Sequence, residues 1–188
     1  MRSETAKGPE NAMAWFRKIS PSEPLAVMMA GIKMGDRFLA IGAPDPALVA
    51  ALAAKTGLTG EACVVEADET RATQTAAAIE RHGALADVTC APWSTLPYDA
   101  GYFDVAVAKD LSVIVPPDAR SRCAAEVFRV LRPGGRFLIV DSMDGLLSRG
   151  AGSADEALAT LAAGGFGAAR VLAERGRMRY IEGIKRGN

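Results

Sequence analysis

The order of apolar and turn-forming segments predicts one α/β domain built on a mainly parallel β-sheet with helices on both faces. Three observations carry that prediction. Strand-like and helix-like segments alternate about five times along the 188 residues, and such alternation calls for right-handed crossovers between parallel strands. The strand-like segments are continuous apolar runs, the pattern of strands buried on both faces. The last two strand-like runs follow each other with no helix between them, so they pair as an antiparallel edge.

The elements come in a legible order. Residues 1–22 are polar and rich in turn formers, with Trp15 and Phe16 in a short helical stretch, and residues 1–24 read as an N-terminal segment able to act as a lid. The main domain is expected over residues 25–188. It opens with a short apolar helix, Leu25 to Ile32, and a buried strand, Arg37 to Ile41, closed by Gly42. Asp45-Pro46 then starts a helix, because the aspartate caps free N–H groups and proline is tolerated at the first helical position; Gly57 ends it. A second strand, Ala62 to Glu66, leads to a helix with Ala72, Ala76 and Ile79 on one face and Gly83 just past its end. Asp87 to Cys90 is a short third strand and Tyr102 to Ala108 a fourth. A long helix from Pro117 to Leu131 carries Cys123, Val127 and Leu131 on one stripe, and Pro133-Gly134-Gly135 ends it before a fifth strand, Arg136 to Val140. Ser153 with Glu156 three residues on has the form of a capping box for one more helix, terminated by Gly164-Gly165. Ala169 to Ala173 and Met178 to Ile184 are the closing strands.

Composition excludes several function classes. Lysine plus arginine (22) equals aspartate plus glutamate (22), so no global field draws in a polyanion and nucleic acid is disfavoured as a partner. Arg149, Arg170, Arg175, Arg177, Arg179, Lys185 and Arg186 crowd the last quarter, either as a local basic patch or, more simply, as a solvated face. Cys63, Cys90 and Cys123 lack metal-ligand spacing and read as small core residues. The single histidine, His82, sits at a helix end where a cation suits the dipole, and no metal site is expected. No apolar run is long enough to span a membrane and no apolar leader follows the first charges, so the expected compartment is the cytoplasm.

In an open parallel sheet the ligand crevice lies beyond the carboxyl ends of the strands, where the strand order reverses. The residues that follow each strand are therefore the candidates: Gly42, Ala43, Pro44 and Asp45; Glu66, Ala67 and Asp68; Ala91, Pro92, Trp93 and Ser94; Lys109, Asp110 and Leu111; Asp141 and Ser142. Strand-Gly42-loop-helix, Val64-Val65-Glu66, Leu96-Pro97-Tyr98, Tyr102-Phe103-Asp104-Val105-Ala106-Val107 and Leu131-Arg132-Pro133-Gly134-Gly135-Arg136-Phe137-Leu138 stand in one order and spacing. In these segments the chain resembles the class I S-adenosylmethionine-dependent methyltransferases over roughly residues 25–185.

The resemblance implies a Rossmann-like seven-stranded sheet, mostly parallel with an antiparallel last strand. It implies S-adenosylmethionine as cofactor, S-adenosylhomocysteine as product, and a small-molecule methyl acceptor. It assigns Gly42, Ala43 and Pro44 to the loop along the cofactor's methionine and ribose portion, and Glu66, with Ala67 beside it, to the two ribose hydroxyls, which a carboxylate can accept together. Pro92, Trp93 and Ser94 fall in the adenine loop, where Trp93 either stacks on the ring or packs as an ordinary aromatic. Lys109 lines the cofactor, and Asp110 and Asp141 are candidates for a general base by position alone.

The chain also departs from the family pattern. Ala40 replaces an acid expected near the cofactor's amino group. Pro44 and Pro46 replace glycines, and Pro44 has no N–H and cannot take a positive φ. Pro92 stands where an acid would meet adenine. Two readings result: a methyltransferase acting on a small molecule, or a non-catalytic relative that kept the fold as a binding or scaffolding module. A nicotinamide-dependent oxidoreductase is disfavoured, because its fingerprint needs the later glycines of the first turn.

Overall fold

A computed structural model describes residues 23–143 and 153–187. The elements run α1 (Glu23–Ala30), β1 (Arg37–Ile41), α2 (Pro46–Thr56), β2 (Glu61–Glu66), α3 (Glu69–Arg81), β3 (Asp87–Cys90), β4 (Phe103–Lys109), α4 (Leu111–Ile114), α5 (Pro117–Val130), β5 (Leu131–Ser142), α6 (Ala154–Ala163), β6 (Arg170–Arg175) and β7 (Met178–Ile184). The strands form one seven-stranded sheet in the order β3-β2-β1-β4-β5-β7-β6. The pairs β1–β2, β1–β4, β2–β3 and β4–β5 are parallel, and β7 runs antiparallel to both β5 and β6. The predicted fold class and the antiparallel closing hairpin are both present. No helix among the described residues is long and apolar enough to cross a membrane.

The two faces divide by strand alternation. Leu39, Ile41, Cys63, Val65, Phe137 and Ile139 point to the side covered by α5 and α6, where Cys123, Val127 and Leu161 meet them. Phe38, Ala40, Val64, Val107, Leu138 and Val140 point to the side covered by α1, α2 and α3. Each fully buried side chain of this size contributes about 1.5–3 kcal/mol, and Leu39→Ala at the sheet centre would cost about 2–5 kcal/mol through lost contacts and a cavity.

Local chemistry sets the helix starts that face the crevice. Asp45 caps α2 by accepting the Leu48 N–H at 3.2 Å, with Pro46 at the first helical position. Asp68 caps α3 by accepting the Arg71 N–H at 2.9 Å. Ser153 caps α6 through the Glu156 N–H at 3.1 Å, while the Glu156 side chain pairs with Arg120.

Several expectations need correction. The buried stripe of α3 is Ala72, Thr75 and Ile79, and Ala76 is exposed; the helix is rotated so that a hydroxyl, rather than a methyl, faces inward. Cys90 is exposed, because β3 is an edge strand whose outer side has no further neighbour, whereas Cys63 and Cys123 are buried as expected. Leu131 leaves α5 and opens β5 directly; Pro133 to Gly135 form an irregularity in that strand, with Gly134 at φ 80°. The four-residue α4 is an element that the sequence pattern does not announce. The Trp15-Phe16 stretch lies outside the described residues. Three of the basic residues near the C-terminus are tied down, Arg170 by Glu182, Arg179 by Glu174 and Lys185 by the carbonyls of Arg129 and Leu131, and Arg149 lies outside the described residues.

The two motif segments meet at the amino end of the sheet. Asp104 accepts the Arg37 N–H at 2.8 Å and pairs with Arg132 Nε at 2.5 Å, so Phe103-Asp104-Val105 and Leu131-Arg132-Pro133 fix β1, β4 and β5 to one another. Their role is to place the strands whose far ends form the crevice.

Candidate functional site

The strand order reverses between β1 and β4, and the crevice opens at their carboxyl ends. Gly42 leaves β1 at φ 64°, with its N–H donating to Val65 O at 2.8 Å. A Cβ built there would lie 2.9 Å from Ile114 Cδ1, 3.7 Å from Trp93 Cη2 and 3.8 Å from Glu66 Oε2. Only glycine takes both the conformation and the space. Ala43 follows, buried, and Pro44 is exposed.

Glu66 ends β2 and is 2% exposed. Its Oε1 accepts two hydrogen bonds, from the Ala43 N–H at 2.9 Å and from Thr75 Oγ1 at 2.8 Å. Its Oε2 faces Arg71 Nε at 3.8 Å and lies 3.8 Å from the position that a Cβ on Gly42 would take. The carboxylate is therefore pinned by one oxygen and offers the other toward the crevice. A buried carboxylate needs such partners, since an unpaired charge there is expensive.

Beyond Glu66 an open groove is lined by Ala67, Cys90, Pro92, Trp93, Ser94 and Ile114. Trp93 is 8% exposed and belongs to the core on the α5 side, so it is packed into the protein while also lining the groove. On the other side of Gly42, Lys109 Nζ meets Asp45 Oδ2 at 2.6 Å. That ion pair joins the loop after β1 to the end of β4 and borders a small enclosed pocket with Ala40, Gly42 and Pro44.

Asp110 and Asp141 behave differently from each other. Asp110 sits at φ 52°, buried, and its carboxylate accepts the Ser142 N–H at 2.6 Å and Ser142 Oγ at 3.2 Å. Both oxygens are engaged in tying the end of β4 to the end of β5. Asp141 is 2% exposed, and its Oδ1 has no hydrogen-bond partner among the described residues. Burial, then the nearby Asp110 charge, push its carboxyl from 3.8 up to about 6, against the pull of Arg179 and the Leu111 N–H. It borders a small pocket with Ser112, Arg120, Glu156 and Thr160.

Comparison with known proteins fits this geometry. A family model described as a methyltransferase domain matches residues 39–139, more than half of the chain. The chain belongs to the class I S-adenosylmethionine-dependent methyltransferases. The ubiquinone/menaquinone biosynthesis C-methyltransferase of Chromobacterium violaceum is 29% identical over 113 residues, which cover 60% of this chain and 45% of that protein. This chain thus spans about half the length of the curated relative that it matches. An S-adenosylmethionine-dependent methyltransferase from Aquifex aeolicus superposes with a TM-score of 0.72 at 17% identity, covering 88% of this chain and 94% of its own. PigF, solved with S-adenosylhomocysteine, superposes with a TM-score of 0.64 at 19% identity, covering 87% and 55%. At these identities the two structures show the shared fold.

The family's cofactor is S-adenosylmethionine, and the residues present fit its nucleoside end. Gly42 lets the backbone pack against Ile114 and Trp93 where a Cβ would clash, and Glu66 Oε2 beside it is an acceptor suited to ribose hydroxyls. The groove beyond has the apolar walls a flat heteroaromatic ring needs. Ala67, Pro92, Trp93 and Ser94 line the groove on one side of Gly42, Pro44 and Lys109 border the small pocket on the other, and Glu66 is buried beside Gly42. The Ala43 N–H is spent on Glu66 Oε1. Thr75 and Arg71, which set the Glu66 carboxylate, are not among the residues that the sequence singles out. A stripe at i, i+3 and i+7 through Ala72, Thr75 and Ile79 would have found Thr75, but three alanines in a row make another stripe equally apolar. The Asp45–Lys109 pair has no local signal, since 64 residues separate its members.

Proposed function

We propose that this methyltransferase-family chain binds S-adenosylmethionine and transfers its methyl group to a small molecule. The single observation that carries the reading is Glu66: buried at the carboxyl end of β2, pinned through Oε1, with Oε2 beside Gly42 at the start of the loop after β1. When bound, the cofactor supplies an activated methyl group on a sulfonium, so the protein need only hold an acceptor in line and keep water out. Gly42 gives close approach, Glu66 takes the ribose hydroxyls, and the apolar wall near Trp93 and Ile114 excludes water from the ring. Where the acceptor carries a proton, Asp141 is the better base of the two candidates, because Oδ1 lacks a partner among the described residues while both Asp110 oxygens hold Ser142.

A non-catalytic binding protein is the second reading, and one observation favours it. Ala43 N–H and Glu66 Oε1 satisfy each other, so the first loop is closed and stable with nothing bound. Calorimetric titration with S-adenosylmethionine and S-adenosylhomocysteine tests the first reading. Saturable binding of both is expected. No heat and no thermal shift at millimolar ligand would overturn it in favour of the second.

A further inference from the structure

We propose that Arg120 is a shared counter-ion, held by Glu156 of α6 while Asp141 is neutral and drawn to Asp141 when that carboxyl ionises, so that one proton sets how firmly α6 is anchored. The device stands at the carboxyl end of β5, on the side of the sheet covered by α5 and α6, apart from the groove and the small pocket that flank Gly42. Asp141, Arg120 and Glu156 line one pocket there, together with Leu111, Ser112 and Thr160. That pocket has room for about one water, so a turn of the guanidinium is enough to fill it.

Each of the three side chains is set for exchange. Asp141 is buried and its Oδ1 has no partner among the described residues. An unmatched oxygen costs little on a neutral acid and much more on a carboxylate. The other groups around it answer that charge only in part. Asp110 adds a like charge from the end of β4, the Leu111 N–H is a single donor, and Arg179 on β7 is bonded to Glu174 at 2.7 Å. Arg120 gives Nη1 to Glu156, Nε to Val115 O at 3.0 Å and Nη2 to Ser112 O. Its side chain is 13% exposed against 46% for Glu156, so the glutamate is left in water when the arginine turns. The guanidinium is a rigid planar fork, so a turn toward Asp141 also slackens its hold on the two carbonyls at α4. The ionised form is therefore the looser one, with α4 and α6 released together beside the ends of β4 and β5.

Two measurements on the ligand-free full chain test the switch, and neither depends on cofactor binding. The Ala157 N–H donates to Ser153 O at 3.1 Å in the first turn of α6. Its protection from hydrogen exchange should fall about two- to fivefold, the range that a partly exposed ion pair supports, as pH rises through about 6. Asp141→Asn, which cannot ionise, should hold that protection flat. A flat profile in the wild-type chain, or the same fall in Asp141→Asn, overturns the switch. Carboxyl NMR titration follows Asp141 itself. Glu156→Gln should lower its midpoint by about one pH unit or more, because Arg120 loses its competing partner. Adding Arg120→Met should cancel that drop. A drop that survives in the double variant comes from the lost Glu156 charge alone and overturns the shared counter-ion, as does an unchanged midpoint in Glu156→Gln. If Arg120→Met leaves the chain unfolded, the Ala157 comparison decides alone, since it alters neither Arg120 nor Glu156.

Discussion

The Ala43 N–H donates to Glu66 Oε1 at 2.9 Å, joining the loop after β1 to the end of β2 across 23 residues of sequence. With Thr75 Oγ1 on the same oxygen at 2.8 Å, it turns a side chain expected to serve a ligand into one that also holds the fold. Glu66→Ala is therefore expected to act twice. It strands a buried N–H and a buried hydroxyl, costing about 1–3 kcal/mol in urea unfolding, and it removes the proposed ribose acceptor, which should lower S-adenosylhomocysteine affinity in calorimetry. Thr75→Val should cost about 1 kcal/mol of stability while leaving affinity within a few fold. Equal affinity losses in both variants would show that Glu66 acts on the ligand only through its position.

Gly42→Ala tests the left-handed turn. At φ 64° an L side chain costs about 1–2 kcal/mol, before the 2.9 Å approach to Ile114 Cδ1 is relieved. A lower melting temperature and weakened cofactor binding are both expected. Ile114→Ala in the same chain should recover part of the loss, and no recovery would locate the strain in φ alone.

Asp141 gives stability a pH dependence of unusual sign for a carboxylate. Its carboxyl is raised from 3.8 to about 6 in the folded chain. Between those values the folded state binds more protons than the unfolded one, so stability falls as pH rises through that window. The stabilisation is full below the unfolded value and gone above about 6. A shift of this size corresponds to roughly 2–3 kcal/mol. Urea unfolding of Asp141→Asn should be flatter across pH 4–6 (on the order of the shift window) and the variant more stable than wild type near neutrality. A steeper profile in the variant would contradict the assignment.

Thiol labelling of the native chain should separate the three cysteines. All three thiols are raised, Cys63 and Cys123 by burial to about 12, but only Cys90, on the edge strand, is exposed. Cys90 should react first, and the other two only on unfolding. Cys90 also lines the groove beyond Glu66. Saturating S-adenosylhomocysteine should slow its labelling, and an unchanged rate would place the ring elsewhere.

The sequence by itself determined the order of the strands, every helix of the described residues except α4, and the residues at the strand ends. Its reach there has a physical reason: apolar runs, capping aspartates and helix-ending glycines act over a few residues, and the parallel crossovers leave one handedness. Gly42 and Glu66 could be named as site residues because each ends a strand, and strand ends in such a sheet share one edge. What those residues touch was decided only by the tertiary structure. Which turn of α3 faces β2 depends on helix rotation, and that made Thr75, not Ala76, the inward residue. Cys90 is exposed because β3 lies at the edge of the sheet, a fact of strand order and not of composition. Asp45 and Lys109 became a pair, and Asp141 a buried acid beside Asp110 with one oxygen unmatched among the described residues, because β1, β4 and β5 end side by side. Charges far apart in the chain interact through distance and burial, and neither is written in local sequence.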